Sequence, residues 1–238
     1  MFKSSAAFGL AACLATFLPP SVVSPQSPAP DTYLPAPPGA QVQNQRVFLT
    51  GDGNFAIWRA VLSKAPVGSN GATKFYQWHL SIYAMRRGAF RLRYESPKNG
   101  GPLTAVTQAS GAKMWFPVQD ASIVGEGSFL QPGIQQLVVR THEMAADCGS
   151  ATVSVFASGP GGGVVPAVTV ANPCDLSATI ERTDAGDYIR LSGPYYAANA
   201  PRCCPTKAHA TAALSFNGKW VLSPPNLFKL YVGKFPPA

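Results

Sequence analysis

The chain has 238 residues, of which 46% are hydrophobic and only 13% are charged, and its formal net charge is +8. Because an average globular chain is about a quarter charged, this composition excludes long amphipathic helices and coiled coils. The 23 prolines and 22 glycines, with many Val, Thr, Phe and Tyr residues, are typical of short strands joined by tight turns. We therefore predict an all-β fold.

The N-terminus has the pattern of a secretory signal peptide. Lys3 precedes an apolar stretch at 6–18 that is shorter than the roughly 20 residues a spanning helix needs. The pattern predicts a signal peptide over 1–24 and export to the periplasm or cell envelope. In the alternative, Leu10-Ala11-Ala12-Cys13 is a bacterial lipoprotein box, the signal ends at residue 12, and Cys13 carries the lipid.

Residues 19–40 are rich in proline and are predicted to form an extended, disordered linker, because such a stretch can neither bury a core nor pair as a strand. If Cys13 is lipidated, this linker is a stalk. Contact with a membrane is then expected only through the lipid anchor.

Residues 41–158 are predicted to form the first of two β-rich units, of a sandwich or small-barrel type. Its clearest element is a hairpin at 74–95 that turns at Arg86-Arg87-Gly88. In its second strand, alternation predicts that one set of side chains faces the core (Phe90, Leu92, Tyr94) and the other faces solvent (Arg91, Arg93, Glu95). The other elements predicted here are strands at 45–49, 54–62, 103–107, 113–118, 134–144 and 151–157, and a turn region at 120–126.

A Gly-rich segment at 158–163 predicts a boundary, and residues 164–238 are predicted to form the second β unit. The run Ser215 to Trp220 contains Asn217-Gly218 between strand-like residues, which is a strong hairpin signal. The strands predicted in this unit lie at 164–171, 177–182, 187–192, 211–216, 220–222 and 227–232.

Four cysteines follow the signal, and in an oxidising compartment they predict two disulfides. Because a bridge between the adjacent Cys203 and Cys204 needs a strained ring, we expect Cys148 and Cys174 to pair with these two, in an order that the sequence leaves open. The bridges would staple the C-terminal unit. The alternative is a thiol metal site made from Cys203, Cys204 and His209, but oxidised structural cysteine is the default outside the cytosol. We predict no metal and no cofactor.

Residues 184–221 combine a Gly-Asp strand opening, aromatic residues before a turn, Cys203-Cys204-Pro205, and a hairpin ending in Asn217-Gly218-Lys219. In these features the segment resembles the C-terminal pattern of the LppP/LprE-type family of mycobacterial cell-envelope lipoproteins. It departs from that pattern at Ala200-Pro201-Arg202, and residues 1–160 are not explained by the family. The resemblance implies an exported envelope protein and a disulfide role for the cysteine doublet, but no activity.

Basic residues cluster on and just after the 74–95 hairpin: Arg86, Arg87, Arg91, Arg93 and Lys98. Such a cluster attracts anionic lipid, acidic glycan or an acidic protein surface. The alternative is a solvated hairpin face whose charges discourage edge pairing. Export argues against nucleic acid as the partner. The sequence leaves the oligomeric state open.

Tyr195 and Tyr196 follow Gly193-Pro194 and are the aromatic residues that we expect to be exposed, where they suit stacking on a sugar ring. Asp184 and Asp187 have the residue type of a glycosidase carboxylate pair. Because they flank a glycine, we interpret them as turn residues.

The remaining catalytic pattern is His142-Glu143 with Asp147. It lacks the second histidine of a zinc-protease helix, because Ala146 stands there. We therefore expect a non-enzymatic envelope protein with a binding or structural role. The alternatives are a secreted hydrolase of envelope glycan or peptide, which requires titratable groups that converge, and a carbohydrate-binding module, which requires Tyr195 or Tyr196 to be accessible.

Overall fold

All regular elements in the described part of the chain are β-strands, which confirms the predicted all-β class. Residues 35–238 form one compact unit. The computed structural model describes residues 39–50, 56–70, 73–86, 88–96, 104–107, 113–116, 118–143, 149–159, 163–197, 199–201 and 205–233. The predicted signal peptide, Cys13 and most of the predicted linker lie outside the described residues.

The strands, in chain order, are β1 (Gln41–Thr50), β2 (Ala56–Asn70), β3 (Thr73–Arg86), β4 (Ala89–Ser96), β5 (Thr104–Thr107), β6 (Lys113–Phe116), β7 (Val118–Gln131), β8 (Ile134–Glu143), β9 (Ser150–Ser158), β10 (Val164–Pro173), β11 (Ser177–Glu181), β12 (Tyr188–Tyr195), β13 (Lys207–Phe216), β14 (Trp220–Ser223) and β15 (Lys229–Val232).

The strands form three larger antiparallel sheets. The N-terminal sheet has the order β1-β2-β3-β4, the central sheet β15-β10-β9-β8-β7, and the C-terminal sheet β11-β12-β13-β14. Strands β5 and β6 form a separate two-stranded pair.

The central sheet is buried on both faces. Leu137 and Val139 pack in one apolar cluster with the N-terminal sheet, whereas Val138 packs in a second cluster with the C-terminal sheet. Successive residues of a strand point to opposite faces, so these three neighbours on β8 contact different layers. The described part of residues 35–238 is therefore a stack of three sheets.

Aromatic pairs join the layers. Tyr94 of the N-terminal sheet meets Phe156 of the central sheet edge to face, with ring centroids 5.0 Å apart. On the other side, Phe129 of the central sheet lies 6.3 Å from Trp220 of the C-terminal sheet. Such pairs add about 0.5–1.5 kcal/mol to the burial of the rings themselves.

The predicted boundary segment joins two neighbouring strands of the central sheet. Gly159 donates a backbone hydrogen bond to the Gly163 carbonyl over 2.8 Å, and Ser158 pairs with Val164 where the β9–β10 ladder begins. Glycine is compatible with a tight chain reversal as well as with a linker. A Gly-rich segment can therefore join two strands of one sheet or two separate domains. The predicted boundary therefore lies within the central sheet. The N-terminal sheet and the C-terminal sheet both pack against this central sheet.

The predicted turn region at 120–126 is wrong, because these residues lie within β7. Ala121 and Ile123 are buried against the N-terminal sheet. Gly125 and Gly127, whose residue type suggests a turn, lie at register shifts in the ladder with β8. Such irregularities accommodate glycine within a strand.

One predicted strand face is also corrected. Tyr83 pairs with Leu92 while Ile82 pairs with Tyr94, so Arg93 is an extra residue in β4. This irregularity interrupts the simple alternation. As a result Leu92, predicted to be in the core, is 47% exposed, whereas Tyr94 is 2% exposed as predicted.

Buried polar side chains stabilise the central sheet. Gln136 closes the β7–β8 hairpin: its Oε1 accepts from the backbone N–H groups of Phe129 (2.8 Å) and Leu130 (3.1 Å), and its Nε2 donates to the Ile134 carbonyl (2.8 Å). Hydroxyl pairs bridge β8 to β9 through Thr141 and Thr152 (2.7 Å), and β9 to β10 through Ser154 and Thr169 (2.9 Å). These groups meet the rule that buried polar atoms are hydrogen-bonded.

The predicted hairpin at Asn217-Gly218 is confirmed. Phe216 pairs with Trp220 across β13 and β14, and Gly218 has a φ of 86°, a left-handed conformation that glycine adopts without strain. The rings of Phe216 and Trp220 pack edge to face with centroids 5.4 Å apart. This hairpin places Trp220 at the start of the edge strand β14.

Candidate binding cleft

A cleft of about 980 Å³ lies between two sheet edges. One side is β14, an edge strand of the C-terminal sheet, and the other is β15, an edge strand of the central sheet. The chain passes from one edge to the other through residues 224–228, where Asn226 has a φ of 66°, a conformation that asparagine tolerates better than most residues. The volume is in the range of small-molecule and cofactor sites. We call it the C-terminal cleft.

The base of the C-terminal cleft is apolar and made of packed core residues. Trp220, Leu222 and Phe228 line it and are buried in the second apolar cluster. Trp220 is fixed by ring contacts with Phe129 and Phe216. A base made of packed core side chains keeps its shape when a ligand enters or leaves.

Two half-buried tyrosines, Tyr196 and Tyr231, also line the cleft. The Tyr196 hydroxyl donates a 2.9 Å hydrogen bond to the Cys174 sulfur. That bond engages the polar end of the side chain. Tyr196 therefore contributes no free hydroxyl to the lining of the cleft.

Close backbone packing positions the Tyr196 segment. The Asn172 amide donates to the carbonyls of Asp175 (2.7 Å) and Pro194 (2.8 Å). A Cβ atom on Gly193 would lie 2.5 Å from the Asp175 carbonyl oxygen, so this approach needs glycine. The contact holds the end of β12 against the end of β10.

The charged residues among the described lining of the cleft are Lys219 and Lys229. Both are exposed. In the described part of the chain neither forms an ion pair. The cleft therefore combines an aromatic and aliphatic base with a positively charged rim.

A second, smaller groove of about 560 Å³ lies between β7 and β11. Its charged lining residues are Arg46, Glu126 and Arg182. The Glu126 Oε2 atom is buried without a hydrogen-bond partner, and Arg182 Nη2 lies 3.4 Å from the Glu126 carbonyl oxygen. Its described lining contains no aromatic ring, which distinguishes this groove from the C-terminal cleft.

The two tyrosines selected from the sequence are both half-buried but occupy different places. Tyr196 lines the C-terminal cleft, whereas Tyr195 pairs with Lys207 in the β12–β13 ladder and is not among the lining residues. Sequence reasoning missed Phe228 and Tyr231 as site residues. The available signal was the aromatic residues on either side of Pro224-Pro225, but nothing local shows that two sheet edges meet there.

The predicted basic cluster is described only in part. Arg91 is exposed on the edge strand β4, and Arg93 is half-buried with its Nε atom lacking a hydrogen-bond partner. The side chain of Arg86, and Arg87 and Lys98 altogether, lie outside the described residues. The cluster stays a prediction.

Arg59 is a basic residue that the sequence pattern did not single out. It is buried on β2, and its guanidinium lies over the Phe90 ring, 5.4 Å from the centroid. On neighbouring β3, burial lowers the pKa of His79 and raises the pKa of Tyr83. These groups belong to the N-terminal sheet and do not line either cleft.

The groups proposed for hydrolysis are not brought together in the described part of the chain. His142 and Glu143 are consecutive residues of β8, so their side chains leave opposite faces, and Asp147 lies outside the described residues. Asp187 accepts a 2.7 Å hydrogen bond from the Ser128 backbone N–H, which gives it a structural role. Asp184 is exposed in a turn.

One serine and histidine pair does lie within contact distance. The Ser192 hydroxyl is 3.3 Å from Nδ1 and 3.2 Å from Nε2 of the exposed His209. Because it is almost equidistant from both nitrogens, the hydroxyl faces the ring edge between them and is not aligned with one lone pair. This geometry does not match the directed serine-to-base hydrogen bond of a nucleophilic pair.

Of the four cysteines predicted to form disulfides, Cys174 alone lies among the described residues, and it is disulfide-bonded. Its backbone N–H donates to the Gly149 carbonyl over 3.1 Å. Cys148, Cys203 and Cys204 lie outside the described residues, so the pairing stays a prediction. The described residues include no group of three or more His, Cys, Asp or Glu side chains arranged to hold a metal ion.

Fold and cleft together define an all-β protein of three stacked antiparallel sheets with a basic, aromatic cleft at one junction of sheet edges. No protein-family model, curated protein or solved structure matches the chain. Among the described residues there is no helix with the length and apolarity needed to span a bilayer.

Proposed function

We propose that this is an exported, non-enzymatic binding protein of the bacterial cell envelope, and that the C-terminal cleft is its ligand site. The signal-like N-terminus and the Cys-Cys-Pro resemblance support the envelope location. The observation that carries the binding role is the cleft itself, which is lined by Tyr196 and Tyr231 together with packed core residues.

The cleft supports binding better than catalysis. A ligand site needs an apolar surface and a few polar groups for orientation, and the lining residues supply both. Hydrolysis needs a positioned nucleophile or base. In the described lining, the titratable side chains are two lysines and two tyrosines, and the Tyr196 hydroxyl is already engaged.

Co-sedimentation with isolated bacterial cell walls tests the site. We expect the wild-type chain to bind and Tyr231→Ala to bind about tenfold more weakly, because a lost ring contact of about 1.4 kcal/mol corresponds to that factor. Tyr188→Ala is the matched control. Tyr188 is also a half-buried tyrosine, and it lies on β12, next to an edge strand, but it does not line the cleft. Equal binding by Tyr231→Ala and wild type would refute the cleft as the site.

The intact mass of protein recovered from a secreting host tests export. A chain that begins at Cys13 with a diacylglyceryl-sized increment is the lipoprotein form, and an unmodified chain that begins near residue 25 is the secreted form. Recovery of the full-length, unprocessed chain from the cytosol would contradict export.

A further inference from the structure

We propose that the ligand of the C-terminal cleft is an anionic polysaccharide; this inference rests on the proposed function and names the ligand class of the same site. The features that carry it are the tyrosine rings, the two lysines, and the short length of the strands on both sides.

The tyrosines provide stacking surfaces. Tyr196 lines the cleft, and its hydroxyl is hydrogen-bonded to the Cys174 sulfur. Tyr231 lies on the edge strand β15 and is half-buried. A sugar ring has a face of C–H groups that packs on an aromatic face, and two separate rings suit successive units of a chain better than one small molecule.

The lysines select the charge of the ligand. Lys229 and Tyr231 are two residues apart on β15, so their side chains leave the same face of that strand, and Lys219 lines the same cleft. The described lining contains no carboxylate to neutralise them. Because an ammonium group acts as a point charge without a fixed fork geometry, lysines suit carboxylate or phosphate groups spaced along a flexible glycan.

The strand edges argue against an acidic peptide. A peptide that binds a sheet edge does so through a ladder of main-chain hydrogen bonds. Strands β14 and β15 have only 4 residues each, which is shorter than the usual strand of about 5–6 residues. A polysaccharide needs no such ladder, so the short edges favour it over a peptide strand.

The test measures competition and charge dependence in the same cell-wall binding assay. We expect polygalacturonate to compete for the protein, whereas its fully methyl-esterified form, which has the same backbone without charge, competes at least about tenfold less well. Polyglutamate tests the peptide alternative and is expected to compete poorly. Binding is also expected to weaken as salt concentration rises, because the lysine contacts are exposed.

The variant Lys219→Ala/Lys229→Ala is expected to bind cell walls about fivefold more weakly, in keeping with the modest strength of exposed ion pairs. Its control is Arg190→Ala/Lys207→Ala, which removes the same net charge from exposed positions outside the cleft. Loss of binding in both double variants would point to net charge instead of the cleft and would overturn the inference.

The two proposals fail in different ways. If Tyr231→Ala loses binding while the cleft lysine variant binds as the wild type does, the binding function stands and the anionic ligand is wrong. Competition by polyglutamate that equals that of polygalacturonate would identify an acidic peptide as the ligand. An unchanged Tyr231→Ala variant would remove the binding site and the ligand inference together.

Discussion

Gln136 shows how one polar residue can close a hairpin in the middle of the molecule. Its side chain is 1% exposed, and its amide satisfies two backbone donors and one backbone acceptor at the β7–β8 turn. Its neighbour Gln135 makes a single exposed hydrogen bond, accepting from the Leu49 backbone N–H over 2.9 Å. The two glutamines therefore form a natural comparison.

We expect Gln136→Ala to lower the free energy of unfolding by at least about 2 kcal/mol, because buried backbone donors left without partners cost about 1–3 kcal/mol each. Gln135→Ala should change it by about 0.5 kcal/mol or less. Urea denaturation of both variants measures this difference. Equal stabilities of the two variants would mean that water satisfies the backbone N–H groups of Phe129 and Leu130 as well as the Gln136 amide does.

Prediction from the sequence fails most clearly for the burial of single residues. Alternation alone places Leu92 in the core, but the extra residue Arg93 in β4 turns Leu92 outward. The sequence contains no local mark of that bulge, because arginine fits equally well in a regular exposed strand. Arg59 is a similar case, since its burial depends on the Phe90 ring supplied by a strand from the next hairpin.

At the level of strands, the close contact between the ends of β10 and β12 is a critical junction. Gly193 lies against the Asp175 carbonyl, and the Asn172 amide bridges the same carbonyl to Pro194. A side chain at position 193 would force these segments apart. Tyr196, three residues later, would then leave its place in the C-terminal cleft.

Gly193→Ala is expected to destabilise the fold by about 1–3 kcal/mol, the usual cost of overpacking, and to weaken ligand binding at the cleft. Ser192→Ala is the control, because it adds no atom at the neighbouring position of the same strand. Thermal unfolding and cell-wall co-sedimentation together check both effects. A Gly193→Ala variant with wild-type stability would show that the Asp175 carbonyl moves aside at little cost.

Most strands could be predicted because their signals are local. The hairpins at 74–95 and at Asn217-Gly218 carry alternation and turn residues within a short window. The strand conformation of residues 120–126 could not be predicted, because the glycines there are typical of a turn. It depends on hydrogen bonding to the neighbouring strand β8. The cleft is harder still, since β14 and β15 belong to different sheets and only the packed structure brings their edges together.

On the scale of the whole molecule, the shared central sheet makes the two outer sheets dependent on it. The apolar cluster of the C-terminal sheet includes residues that precede the 158–163 segment: Phe129, Val138, Ala151, Val153 and Val155. Burial of each Phe or Val side chain contributes about 1.5–3 kcal/mol to the stability of the fold. Together this is comparable with the whole net stability of a domain, about 5–15 kcal/mol.

We therefore expect a fragment of residues 164–238 to remain unfolded, while residues 35–238 unfold in a single cooperative transition. Near-ultraviolet circular dichroism and amide hydrogen exchange check the fragment, and the longer chain is the control. A fragment with protected amides in β12 and β13 would show that the C-terminal part folds by itself as a separate domain, as the Gly-rich segment suggests from sequence.

The position of β15 has a consequence for the order in which the protein forms. This last strand pairs with β10, from Val168 with Val232 to Ala171 with Lys229, and the whole C-terminal sheet lies between them in the chain. A ribosome makes the N-terminal strands first, so β10 has an open edge until β15 has been made. Such an edge is a site for wrong pairing with another chain. Completion of the central sheet therefore depends on the synthesis of β15, and a chain truncated before β15 is expected to be removed by aggregation or proteolysis.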